Sequence, residues 1–252
     1  MTVLVATDLA VTTAAGDALV DGVSLAVDAG ETVVVAGPSG SGKTTVTKAL
    51  GGLLDSRPNL AVEGSVERPG NVGFLFQNPK TQLVRRTVEH DVAFGLENRG
   101  VPRAEMRERI REWAERLDAT RYLDRAVDEL SRGETAVVVL LGALVTEPDV
   151  LVLDEPLAPL DAPNRRLVLE TIETLQARGT ALLVAEHDLR DLLPVADRVL
   201  VLESGRVTAR GPVHRHLHRL RSLGLRLPFA TEVALERGVT GEAVPLDAGG
   251  SR

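Results

Sequence analysis

The chain contains no cysteine. Disulfide bridges, cysteine-ligated zinc and thiol catalysis are therefore excluded. Aromatic residues are nearly as scarce: one Trp, one Tyr and four Phe among 252 residues, with none before Phe74. So few stacking platforms argue against single-stranded nucleic acid as a ligand. Acids outnumber bases 36 to 29, a net charge of −7, which argues against a general nucleic-acid footprint. Long hydrophobic runs are missing too. The longest, Ala136–Val145, is about half of the roughly 20 residues that a bilayer span needs. The opening Met1-Thr2-Val3-Leu4-Val5-Ala6-Thr7-Asp8 lacks the basic segment of a secretory leader and meets an acid early. What remains is 44% hydrophobic and 26% charged, an ordinary globular balance with length enough for one large domain.

Apolar patterning places the elements. Residues 1–35 read as short strands, with Val23–Val27 alternating and Asp28–Glu31 a turn. Thr32–Ala36 is a continuous apolar run, as in a strand buried on both faces, and a helix is predicted to follow through about Leu54. Phe74–Phe76, Val150–Leu153, Ala181–Val184 and Val199–Leu202 read as further strands. Helical stretches between the later ones imply a parallel βαβ sheet. From about Thr87 the texture turns helical: Met106, Ile110, Trp113 and Leu117 recur at spacings of three and four, one face of a charged helix. Beyond Gly205 a short strand and one or two helices are expected, with fraying after Gly241.

Chemistry is concentrated in two segments. Gly37-Pro38-Ser39-Gly40-Ser41-Gly42-Lys43-Thr44-Thr45 carries the spacing Gly-x-x-x-x-Gly-Lys-Thr between a predicted strand and a predicted helix. Glycines let backbone N–H groups wrap a phosphate, and the helix start adds a positive dipole end. Lys43 is the point charge for the β/γ-phosphates and Thr44 the hydroxyl for Mg²⁺. The second segment, Val150–Glu155, ends a buried strand in two acids. Ligands of open parallel sheets bind at such carboxyl ends. Asp154 is thus the expected Mg²⁺ holder, and Glu155 the group that orients or deprotonates water. The blander readings are a Gly/Ser-rich turn and acids at a helix start.

With these segments in order, the chain resembles the ATPase subunits of ABC transporters over roughly residues 3–230. Gln77 stands after a strand like that family's Q-loop glutamine. Leu130-Ser131-Arg132-Gly133-Glu134 stands where the family has its Leu-Ser-Gly-Gly-Gln signature. Leu160-Asp161 matches the D-loop and His187 the switch histidine. The stretches Phe76–Leu83, Thr87–Asn98 and Leu223–Phe229 are similar to the ATPases of energy-coupling factor transporters, importers of vitamins and transition-metal ions. The resemblance implies an α/β fold: a P-loop NTPase core with a mostly parallel sheet, an N-terminal antiparallel β subdomain, a helical insertion at about 87–146 and a short C-terminal helical extension. The ATPase domain would span 1–230, and 231–252 would be extension and tail. It further implies Mg²⁺-dependent ATP hydrolysis by two subunits closing head to tail. Gln77, Glu155 and His187 would be catalytic, the loop 37–45 with Asp154 would bind nucleotide, and Thr44, Gln77 and Asp154 would serve the metal. Ser131 and Gly133 would serve the partner's nucleotide. The implied partners are a membrane T component and a second ATPase, a paralogue or a second copy. Nucleic acid is not among them, and membrane contact at the cytoplasmic face would come through the partner. The rival readings are a non-transport ABC protein and the ATPase of another transporter class.

Three departures qualify the resemblance. Arg132 replaces the first signature glycine, and either crowds the partner's phosphate or pairs with it. Glu134 replaces glutamine, and the basic residues expected after it give way to Thr135–Val139. Ser131-x-x-Glu134 is itself a capping box. No aromatic lies near Val11-Thr12-Thr13 to stack on adenine, so the base is expected either to rest on apolar contacts such as Val11 and Val20 or to be held loosely. Two weaker signals complete the reading. Residues 206–226 carry six arginines and no acid, expected as a basic helix at a subunit contact or near lipid, with His214 and His218 placed on one face. Glu89, Asp91 and Glu97 offer acids to a basic residue of a docking membrane subunit.

Overall fold

The computed structural model describes residues 1–247. Its centre is a six-stranded sheet in the order β5-β6-β7-β3-β8-β9. The strands are β3 (Thr32–Ala36), β5 (Val72–Leu75), β6 (Val150–Asp154), β7 (Ala181–Glu186), β8 (Arg198–Glu203) and β9 (Arg206–Pro212). β5 to β8 and β3 run parallel, and β9 returns antiparallel to β8. Every residue of β3, β6 and β7 is buried, and the stretches Val33–Ala36, Val150–Leu153 and Ala181–Ala185 are accordingly unbroken apolar runs. Successive side chains go to opposite faces. Val34, Ala36, Leu151, Leu153, Leu182 and Val184 pack into one core, while Val33, Val35, Val150, Val152, Leu183 and Ala185 pack into the other.

The second core is closed by an antiparallel sheet, β2-β1-β4, and by α1 (Lys43–Leu50). Here β1 is Thr2–Thr13, β2 Ala18–Asp28 and β4 Leu60–Glu67. The first core is covered by α2 (Val88–Glu97), α3 (Arg103–Arg116), α4 (Arg132–Leu144) and α5 (Ala162–Ala177). α2 to α4 lie in the chain between β5 and β6. The apolar face of α3 is the expected one: Ile110, Trp113 and Leu117 are buried and Met106 packs against them. In α4, Thr135–Leu141 are all buried, so Thr135–Val139 is core where basic residues were the family expectation.

Two boundaries differ from the reading of the sequence. α1 stops at Leu50 rather than about Leu54, because Gly51 and Gly52 follow and Gly52 has φ +83. The chain also stays folded past Gly241: after α6 (Leu217–Ser222) and α7 (Phe229–Glu236), Val244 is buried and the Thr231 hydroxyl donates to the Pro245 carbonyl. Residues 248–252 lie outside the described residues.

Candidate functional site

Register builds the site. Ala36 pairs with Glu186, Asp154 with Ala185 and Leu75 with Leu153, so the carboxyl ends of four adjacent strands meet at one edge. The segments that leave those ends carry Gly37–Thr45, Gln77, Asp154-Glu155 and His187. The loop after β3 folds tightly. A Cβ at Gly37 would lie 2.3 Å from the Leu202 carbonyl oxygen, and Gly42 turns into α1 with φ +100. Beyond that turn the first N–H groups of α1 have no intrahelical acceptor. A cleft of about 550 Å³ opens there, and its lining includes Ser39, Gly40, Gly42, Lys43, Thr44, Thr45, Gln77 and Glu155.

Lys43 is buried, and its Nζ donates to the carbonyls of Gly37 at 2.8 Å and Pro38 at 3.0 Å. That leaves one ammonium hydrogen uncommitted. Burial pushes its pKa below the usual lysine value, against the attraction of Glu155, Glu186 and Asp154. Thr44 Oγ1 donates to Asp154 Oδ1 at 3.1 Å. Burial pushes the Asp154 carboxyl above the usual range; the Thr44 bond opposes this and nearby Glu155 adds to it. Asp154 Oδ2 and the Ser41 hydroxyl are buried and meet no hydrogen-bond partner in the structure. An unpaired buried carboxylate oxygen beside a threonine hydroxyl is a hard-oxygen donor set that fits Mg²⁺.

Glu155 has φ +51, a rare conformation for a non-glycine residue. Its carboxylate is held on both sides: Gln77 Nε2 donates to Oε2 at 2.9 Å, and His187 Nδ1 lies 3.3 Å from Oε1. The structure therefore brings together Lys43, Thr44, Gln77, Asp154, Glu155 and His187. Ser131 and Gly133 are not among the residues lining the cleft. Ser131 caps α4 instead, in a full capping box: its Oγ accepts the Glu134 N–H, and Glu134 Oε2 accepts the Ser131 N–H at 2.7 Å.

The family model described as ABC transporter matches residues 20–158. An energy-coupling factor transporter ATP-binding protein, EcfA1 of Latilactobacillus sakei, is 37% identical over 236 residues, covering 89% of this chain and 84% of that protein. The chain belongs to the ABC transporter ATPase family. A putative ABC transporter ATP-binding protein of Halobacterium salinarum is 42% identical, covering 83% of this chain and 93% of its own length. Among solved structures, cbiO1 of Clostridium perfringens, part of the ABC transporter complex cbiONQ, superposes with a TM-score of 0.74 at 27% identity, covering 94% of this chain and 99% of its own. This ABC ATPase has the P-loop NTPase fold, and among its described residues no helix is long and apolar enough to cross a membrane.

Several details of the ABC ATPase escape its sequence. Val11 and Val20 pair with each other inside the second core and are buried, so they do not face the cleft. Ala18 and Leu19 line it instead. The charge of Glu134 is answered by Arg125, whose Nη1 donates to Oε1 at 2.9 Å. The Ser131 N–H first, and Arg125 with it, hold the Glu134 carboxyl below the usual range. The arginines of 206–226 do not present a bare basic face: Arg206 pairs with Asp21, Arg219 with Glu203, Arg221 with Glu232 and Glu236, and Arg226 with Asp188. Of the histidines there, His216 binds the Arg210 carbonyl, a contact that sequence spacing does not single out. Asp91 is engaged locally, its Oδ1 accepting the N–H groups of Val84 and Arg85. Asp161 caps α5 by accepting the Asn164 N–H.

Proposed function

We propose that this ABC ATPase is the ATP-hydrolysing subunit of an energy-coupling factor type importer, working as a nucleotide-sandwich dimer under a membrane T component. The carrying observation is the cleft in which Lys43, Thr44, Gln77 and Glu155 face one another while Ser131 and Gly133 lie outside it. Such a site is half built, and a second subunit's signature completes it. Gly37–Thr45 cradle the triphosphate through backbone N–H groups, and the remaining hydrogen of Lys43 meets the β/γ-phosphates. Thr44 and Asp154, with Gln77, would hold Mg²⁺, which neutralises phosphate charge. Glu155 accepts the proton of the attacking water, Gln77 fixes that carboxylate, and His187 contacts the terminal phosphate. The ATPase domain is taken as residues 1–230 with its helical part at about 87–146. The second ATPase is taken as a paralogue with an unaltered signature, because Arg132 and Glu134 in a homodimer would burden both sites. The similarity to EcfA1 and to cbiO1 supports the transporter class.

The docking face is taken as the groove between β5 and α2, where Phe74, Val84 and Phe94 offer apolar surface. Val84 is exposed, and Asp91 shapes the loop beside it. Peripheral attachment at the cytoplasmic membrane face follows from that docking. Val84→Asp, made in the cell of origin, tests it. The variant is expected to leave the membrane fraction while the purified chain keeps its ATPase rate. Undiminished membrane co-sedimentation would overturn the docking face.

A further inference from the structure

β5 is an edge strand of the six-stranded sheet, and its pairing with β6 ends at Leu75. An edge strand turns the N–H and C=O groups of alternate residues away from its one neighbour, where no strand pairs them. Phe74 and Phe76 stand two apart in this way, and one side chain answers both. Gln82 Oε1 accepts the Phe76 N–H at 2.7 Å, and Gln82 Nε2 donates to the Phe74 carbonyl at 3.0 Å. The backbone partners fix the orientation of the amide, since an N–H needs the oxygen and a carbonyl needs the NH₂ group. Gln82 thus stands in for the peptide group of a further strand.

The bond to Phe76 closes residues 76–82 into a loop. Within it Pro79–Gln82 forms a single 3₁₀ turn with Pro79 buried. The Thr81 N–H and hydroxyl both donate to the Asn78 carbonyl, at 3.2 and 2.8 Å. Gln77 is the first residue beyond the clipped Phe76. It is exposed, yet its Nε2 donates to Glu155 Oε2 at 2.9 Å. Rotamer and backbone freedom both oppose a contact of that kind, so a held backbone favours it.

We propose that Gln82 is a positioning residue for Gln77. By occupying the free edge of β5 it carries the hold of the sheet one residue past Leu75 and sets the point from which Gln77 reaches Glu155. The inference rests on the reading of Gln77 as the residue that fixes the Glu155 carboxylate. Gln82 also lines the groove between β5 and α2, so a subunit seated there would lie against the clip.

The test is a double-mutant cycle on the assembled transporter, with Gln82→Met and Gln77→Ala. Gln82→Met keeps the length of the side chain and removes both bonds. It is expected to lower kcat by about 10–100-fold, the usual cost of misplacing a group that serves the reacting atoms, with KM for ATP nearly unchanged. KM is spared because the phosphate loop leaves β3, which β6 and β7 separate from β5. In the Gln77→Ala background the same change should then have almost no effect. An equal loss in both backgrounds, or a wild-type kcat for Gln82→Met, would overturn the proposal. A second readout needs no variant. The Phe76 N–H lies outside every helix and strand, yet residue-resolved hydrogen exchange on the wild-type chain should find it at least about tenfold slower than a free amide. Free exchange at Phe76 would overturn the clip. Wild-type turnover by Gln77→Ala would instead sink the reading of Gln77 itself, and the positioning role with it, even where Phe76 is protected.

Discussion

The two ends of the nucleotide machinery are built by different means. Lys43, Asp154 and Glu186 are anchored at the carboxyl ends of the buried strands β3, β6 and β7, or one tight loop beyond them, and all three side chains are buried. Leu130–Glu134 is positioned by one helix cap, and Ser131 and Arg132 are exposed. A sheet edge tolerates little substitution, since a neighbouring strand fixes each position. A capped helix start tolerates more, provided that the cap is kept. That is the pattern here: every expected residue is present at the sheet edge, while the signature departs at Arg132 and Glu134. The altered cap is internally compensated, because Arg125 answers the charge that Glu134 brings.

The largest effect should come from breaking the sheet-edge end. Glu155→Gln is expected to cut turnover by about 10²–10⁴-fold, the usual worth of a positioned base, while ATP binding is kept. Single-turnover hydrolysis with labelled ATP measures it, and a wild-type rate would remove Glu155 from its role. Next comes the capped end. Restoring glycine at Arg132 and glutamine at Glu134 together, in the chain purified alone, should raise its ATPase rate about tenfold or more if the altered signature is what limits a homodimer, that factor being about 1.4 kcal/mol of barrier. An unmodified chain that already runs at the rate of the full transporter would erase the functional difference between the two ends.

Stability sharpens the same contrast with opposite signs. Ser131→Ala removes a cap and should cost about 0.5–2 kcal/mol. Asp154→Asn should do the reverse in EDTA without nucleotide. The folded-state pKa of Asp154 is raised, so its contribution to stability is full below the unfolded value near 3.9 and is lost as pH rises through the folded value. At neutral pH the amide therefore escapes a penalty that the carboxylate carries, and the melting temperature should rise. A fall would show that Thr44 and the nearby lysines outweigh burial. Glu134 behaves oppositely and more weakly. Its depressed pKa gives stability above the unfolded value near 4.3, lost as pH falls through the folded one. Glu134→Gln should cost about 0.2–1 kcal/mol at pH 7, and the gap to wild type should close in acid melts.

What is legible in the sequence follows the same division. The runs Val33–Val35, Val150–Leu153 and Ala181–Val184 stand out because strands buried on both faces need no polar residue. The phosphate loop is readable because its glycines answer a backbone demand at fixed spacing. β4 is not: Leu60–Glu67 is an outer strand of the small sheet, mostly exposed, with charged residues and a glycine inside it. Val11 and Val20 point to adenine in the sequence only because a sequence does not say which faces of β1 and β2 look inward. Glu186 stays hidden since an acid beside a histidine reads as a surface pair, and only strand register reveals its burial. The answer to Glu134 is equally hidden, as Arg125 reaches it from the irregular stretch before α4.

The shelf formed by Ala18 and Leu19 bears on which fuel the motor accepts. An aromatic platform under a base is worth about 1–3 kcal/mol, and small aliphatic side chains do not supply it. Recognition is thereby shifted onto the triphosphate, which every nucleoside triphosphate shares. GTP should then replace ATP with a kcat/KM within about tenfold, or 1.4 kcal/mol. A chain with that selectivity would respond to the total supply of triphosphates in its surroundings more than to the identity of the base.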